Sequence, residues 1–177
     1  MAEEYKVRVK RTKSEFEDSY EDDREIVGLW LQEPLRNVPR RPLVTVAADS
    51  SVAAAVAAMN EMHTGCALVV REGKLTGIFT ERDVLTKVVG RNLSLDTRVD
   101  LVMTKDPDTL PDSSTVAYAL HQMSVEGYRH IPLIDAERRP TGVVAVRDIV
   151  AWMSELFPET VMNLPPEERV PREADGG

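Results

Sequence analysis

Gly77-Ile78-Phe79-Thr80-Glu81-Arg82-Asp83 returns 65 residues later as Gly142-Val143-Val144-Ala145-Val146-Arg147-Asp148. Upstream, Thr45, Ser50, Val52, Ala53, Ala55 and Met59 return 64 residues later as Thr109, Ser114, Val116, Ala117, Ala119 and Met123. The single-residue change of offset fits one extra residue in the loop Asp135-Ala136-Glu137-Arg138-Arg139. A repeat of this length is a whole supersecondary unit, so the chain is expected to fold as two copies packed together. The Arg-Asp that ends each quoted stretch falls at the start of a predicted helix, where anions and ribose hydroxyls can be held.

Working outward, repeat one reads β-α-β-β-α. Residues 43–46 form a short strand. Asp49 or Ser50 caps a helix to about Met62, with Val52, Val56 and Met59 on one face. Residues 66–70 are a continuous apolar strand, Glu72-Gly73-Lys74 a turn, and residues 75–79 the second arm of a hairpin. A helix starts near Thr80 and stops at Gly90. Repeat two follows the same order: a strand at 108–110, a helix capped by Ser113 or Ser114 with Val116, Leu120 and Met123 on one face, a hairpin of 130–134 with 142–145, and a helix from about Val146 to Leu156 that Pro158 stops. The chain therefore divides into an extension (1–34), repeat one (35–98), repeat two (99–157) and a Pro-rich tail (158–177), whose start, Val161-Met162-Asn163-Leu164, can still pack on the body.

The extension is basic from Lys6 to Lys13 and acidic from Glu15 to Glu25. This pattern reads as a solvated arm. Its last part, Ile26, Leu29, Trp30 and Leu31, is an apolar cluster expected to dock on the repeats or on a partner. Aromatics are only 5% of the chain, so the core must be built from aliphatic residues and methionine. A net charge of −8 argues against nucleic acid as a partner, since phosphate backbones need a basic surface. Cys66 is the only cysteine and excludes an intramolecular disulfide, compatible with a cytoplasmic location. The charged N-terminus does not read as a secretory signal, and no apolar run is long enough to span a membrane.

The order of elements, the strand-to-helix signature Gly-apolar-apolar-Thr/Ser-x-x-Asp (from which Ala145 departs in repeat two), the segment Tyr128-Arg129-His130-Ile131-Pro132-Leu133-Ile134-Asp135 and Val102-Met103-Thr104 together resemble a tandem pair of cystathionine-β-synthase (CBS) domains, or Bateman module, over roughly residues 35–157. The resemblance implies a mixed α/β (α+β) fold in which two β-α-β-β-α repeats pack as a pseudo-twofold pair with two clefts between them. It implies a stand-alone regulatory protein rather than an enzyme. The ligand would be an adenosine compound (AMP, ADP, ATP, NAD(H) or S-adenosylmethionine), and the assembly a homodimer formed through helices that carry Met, Val and Trp152. A regulated protein partner is compatible with it. The alternative is a ligand-free interaction or scaffold protein, favoured by Ala145 and by the unusual N-terminal arm.

In the first cleft Asp83 is the leading candidate, because a carboxylate can hold both ribose hydroxyls. Thr80 stands three residues earlier at a helix start that favours anions. Thr-x-x-Asp is also close to a capping box, which needs no ligand. In the second cleft Ala145 replaces the hydroxyl while Asp148 remains; a box does not account for Asp148, though the helix dipole can. Arg82 and Arg147 either reach phosphate or sit on the surface. By resemblance, Arg129 and His130 contact phosphate. Thr45 and Thr109 face the base, although threonine also simply suits a strand. Ala67, Leu68, Ile131 and Pro132 supply apolar walls. No Gly-x-Gly-x-x-Gly or Walker loop is present. His63 and Cys66 lack the second ligand pair of a zinc site, and Cys66 lacks an activating base. No catalytic cofactor or metal is therefore expected.

Overall fold

The structure, a computed structural model, describes residues 28–156. The charged arm, Ile26 and the Pro-rich tail with residues 161–164 lie outside the described residues. Repeat one contains β1 (Thr45–Ala47), α1 (Val52–Glu61), β2 (Cys66–Arg71), β3 (Lys74–Thr80) and α2 (Glu81–Asp83). The α2 helix runs on as a π-helical turn (Val84–Val88) and a 3-10 turn (Val89–Arg91). The two-residue strand β4 (Thr104–Lys105) links the repeats. Repeat two contains α3 (Val116–Glu126), β5 (His130–Ile134), β6 (Pro140–Ala145) and α4 (Val146–Leu156). One sheet has the order β1-β2-β3-β4, with β1 parallel to β2 and the other pairs antiparallel; the other is the antiparallel pair β5-β6.

The change of offset has the expected physical origin. Both hairpins break register at corresponding places, Val69/Val70 and Leu133/Ile134. Beyond the break, Val70 pairs with Leu75 and Ile134 with Pro140, so the second loop is one residue longer. The short loop turns at Glu72 (φ 53°) and Gly73 (φ 76°), the left-handed pair that a tight hairpin requires. The long one is organised by Asp135, whose carboxylate accepts from the N–H groups of Glu137 and Arg139.

Four local expectations shift. The helix caps are Ser51 and Thr115, not their neighbours. Each hydroxyl accepts the third N–H of its helix, from Ala54 and Tyr118. Burial of Val52, Ala55 and Met59, and of Val116, Ala119 and Met123, sets this phase among three consecutive cap-competent residues. The strand expected at 108–110 is a single parallel bridge, Leu110 to Leu133. Pro111 follows it, and its ring holds φ near about −65°, short of the extended-strand value. Finally, the π turn carries the second helix of repeat one past Gly90 to a left-handed end at Asn92 (φ 51°).

The cores are exchanged between repeats. The core under repeat two, built on Val116, Ile131, Leu133, Val144 and Ile149, is completed by Leu35 and Val38 from the segment leading into repeat one. The core under repeat one, built on Val52, Val69, Phe79 and Val88, is completed by Val99 and Val102 from the segment leading into repeat two. The backbone repeats this crossing with near-identical geometry. Leu35 N–H donates to Ser114 O at 2.8 Å, and Val99 N–H to Ser50 O at 2.8 Å. A third cluster, Cys66, Leu68, Leu75 and Ile78 against Ile134 and Val143, joins the two repeats. The apolar cluster ahead of repeat one docks as expected in part: Trp30 and Leu31 pack on the core of repeat two, while Leu29 is exposed. Trp30 meets Trp152 edge-on, with ring centroids 5.5 Å apart. Trp152, expected at a dimer seam, is therefore buried within the chain, because Trp30 covers it.

Candidate ligand-binding site

The two carboxylates occupy equivalent places and have different neighbours. In repeat one the capping box is formed in full. Asp83 Oδ2 accepts from Thr80 N–H (2.9 Å) and Thr80 Oγ1 (2.7 Å), and Asp83 N–H donates to Thr80 Oγ1 (3.3 Å). The other oxygen, Oδ1, lies 2.7 Å from Lys87 Nζ, which also donates to Thr104 Oγ1 at 3.2 Å. Asp83 is the one charged side chain among the described residues that is fully buried.

In repeat two Ala145 removes the hydroxyl. Asp148 Oδ2 accepts one longer bond, from Ala145 N–H at 3.3 Å. Asp148 Oδ1 faces two guanidiniums at ion-pair range, Arg41 Nε at 3.6 Å and Arg147 Nε at 3.9 Å. A shallow recess, open to solvent and enclosing room for about one water, lies around this carboxylate. Repeat one contributes Arg41, Pro42, Val44, Thr64 and Cys66 to its lining; repeat two contributes His130, Val143, Ala145, Arg147 and Asp148.

Strand alternation decides which predicted residues reach the cleft. In β2, Ala67 and Val69 face the helices, whereas Cys66 and Leu68 face the other repeat. In β5, Ile131 and Leu133 face the helices, and Ile134 faces the other repeat. Hence Cys66 and His130 line the cleft, while Ala67 and Ile131 are core residues. Leu68 is sealed in the cluster between repeats, and Pro132 is buried in β5 without reaching the lining. Thr45 is exposed on β1 and Thr109 half-buried beside Leu110; neither lines the cleft. Arg82 and Arg129 are exposed outside it. Of the predicted set, the structure gathers His130, Arg147 and Asp148 in one place and Thr80 with Asp83 in another.

Arg41, Pro42, Val44, Thr64 and Val143 were not anticipated. The available signal was Arg40-Arg41-Pro42, a basic pair just before an apolar strand, but nothing local shows that this segment faces the opposite repeat. Cys66 supplies an apolar wall. Burial pushes its thiol up to about 11, so it remains protonated and is a poor nucleophile.

His130 is half-buried. Burial, and after it the Arg147 guanidinium, hold its imidazole below the ordinary value, despite the opposing pull of Glu81 and Asp148. The folded chain therefore takes up this proton later than the unfolded chain does. The associated stability is complete above about pH 6.5 and is lost as the pH falls toward the folded value. Urea midpoints are expected to fall over that interval, and His130→Gln to flatten the fall. Parallel profiles for the two proteins would remove His130 from the explanation.

Comparison with known proteins is consistent with this geometry. The CBS-domain family model matches residues 35–90 and 99–155. A CBS domain-containing protein of Arabidopsis thaliana is 40% identical over 93 residues, 52% of this chain and 17% of that protein, so the chain spans less than a fifth of that relative. The solved structure of a putative signal-transduction protein with CBS domains from Burkholderia ambifaria is 30% identical, with a TM-score of 0.61, covering 67% of this chain and 89% of that one. A CBS domain protein from Pyrobaculum aerophilum complexed with AMP shares the fold at 21% identity, with a TM-score of 0.63 and coverage of 71% and 99%. No helix among the described residues is long and apolar enough to cross a membrane.

Proposed function

The chain belongs to the CBS-domain family, and from that premise we propose that it is a regulatory pair that binds a phosphate-bearing adenosine ligand in the cleft around Asp148. The observation that carries this reading is a carboxylate with an unfilled oxygen beside Arg41, Arg147 and the His130 imidazole. Asp148 Oδ1 can accept ribose hydroxyls. The two guanidiniums and the N–H groups of Arg147 and Asp148 in the first turn of α4 can take phosphate oxygens, since Ala145 offers them no hydroxyl, while Val146 N–H is already bonded to Arg129 O. Cys66, Val44 and Val143 offer an apolar wall for the base. That the Pyrobaculum protein of the same fold holds AMP supports the choice of an adenosine ligand.

Charge ranks the candidates. Two guanidiniums and an imidazole against one carboxylate favour AMP, ADP, ATP and the dinucleotides over S-adenosylmethionine, whose sulfonium adds a further cation. Because both repeats line the cleft, a bound ligand favours one arrangement of the pair over others. Signalling then follows as a shift of population. A thermal-shift panel with AMP, ADP, ATP, NAD, NADH and S-adenosylmethionine tests the reading. A phosphate-bearing ligand at 100 times its Kd is expected to add about 2.7 kcal/mol of stability. No shift with any of them would favour the ligand-free interaction protein.

A further inference from the structure

We propose that Lys87 is the residue that closes the first cleft, so that each chain takes one nucleotide rather than two. This rests on the reading of the second cleft just given. The two aspartates are related by the repeat, yet the residue four positions after each differs. It is Lys87 after Asp83 and Trp152 after Asp148. In α4 that position faces the core, where Trp152 is buried beneath Trp30. In repeat one the helix passes through a π turn, and Val88 takes the core position. Lys87 is thereby turned toward Asp83 and β4.

Its ammonium does what a ligand would do. It occupies Asp83 Oδ1, the oxygen left over by the capping box, at 2.7 Å. It also ties that carboxylate to Thr104, in the segment that crosses between the repeats. Oδ2 is already engaged twice by Thr80. A ribose would therefore have to displace a half-buried ammonium from a buried carboxylate, with only water to compensate it. Around Asp148 no such displacement is needed: its nearest cations stand at 3.6 and 3.9 Å and are themselves half-exposed. Lys87 thus acts as an internal cation that selects against ligand at one of two homologous sites.

Titration calorimetry with ADP on the whole chain reads this directly. One site per chain is expected for the wild type, and two for Lys87→Met, with the new site within about tenfold of the old in affinity. Lys87→Arg should stay at one. In the Asp148→Ala background the wild-type lysine should leave only the weakened second site, and Lys87→Met should add one site that does not share this weakening, which assigns the new site to Asp83. Lys87→Gln serves if the methionine variant is poorly folded. Two sites in the wild type, or one in the wild type and still one in folded Lys87→Met and Lys87→Gln, overturns the proposal and leaves the second-cleft reading intact. No site in the wild type but one in Lys87→Met supports the proposal and overturns the second-cleft reading. No site in any variant overturns both.

Discussion

Asp148→Ala is expected to weaken nucleotide binding about a hundredfold and to cost little stability, whereas Asp83→Ala is expected to leave binding unchanged and to destabilise the fold. The first half follows from the proposed ribose contacts. A hydrogen bond to a charged group is worth about 1.5–3 kcal/mol, and two of them at the low end of that range amount to roughly 3 kcal/mol, or about two decades in Kd. Without ligand, Asp148 has one 3.3 Å bond to Ala145 N–H and two loose ion pairs with half-exposed arginines. Such pairs contribute about 0–1 kcal/mol.

Asp83 stands in the opposite position. Its removal breaks the side-chain arm of the capping box, with the Thr80 N–H and hydroxyl bonds it accepts, and leaves the backbone N–H of residue 83 on Thr80 Oγ1, a loss of about 1 kcal/mol. It also leaves the Lys87 ammonium without its carboxylate in a half-buried place. Together the loss should be on the order of 2–3 kcal/mol, or about 6–9 °C in Tm for a chain of this size. Calorimetry and thermal melts on the two variants, side by side, check both halves. Equal loss of binding in the two would mean that the clefts are equivalent and that the asymmetry drawn from Lys87 and Ala145 has no functional weight.

This asymmetry also marks where sequence reasoning succeeds and where it stops. The duplicated unit, its element order and even the extra residue in the second hairpin loop were legible, because each leaves a local periodicity or offset in the residues. Asp83 and Asp148 were legible as a pair for the same reason. Their difference was visible only in part. Ala145 in place of Thr80 shows in the sequence, but Lys87 in place of Trp152 becomes informative only once the π turn rotates one helix relative to the other. The crossing of Leu35 and Val99 into opposite cores was not legible at all. Both are ordinary apolar residues in short segments, and their partners lie in the other repeat, near residues 114 and 50. Arg41 escaped for the same reason, since its place in the cleft depends on that crossing. The choice of Ala67 and Ile131 as walls failed on a shift of one residue, which in a strand moves a side chain to the opposite face.

The crossing carries the other large expected effect. Trp152→Ala should lower stability by about 3–5 kcal/mol, the usual range for truncating a core aromatic. Trp152 is only 9% exposed and belongs to the same core as Leu35, Val38 and Ile149. Trp30→Ala should cost less, about 1–2 kcal/mol, because Trp30 is half-buried and gives up chiefly its edge-on contact. If Trp30 acts only by covering Trp152, the two losses will not add. In the double variant the Trp30 substitution should cost almost nothing further, leaving a coupling of about 1–2 kcal/mol. The chain has only these two tryptophans, so each single variant to phenylalanine gives a clean fluorescence reporter of the other. Emission should shift to the red in the same urea transition that unfolds the sheets, because the residues ahead of repeat one are part of the core of repeat two. An earlier, separate shift of Trp30 would show instead that this segment is an appendage, and the coupling energy would then vanish as well.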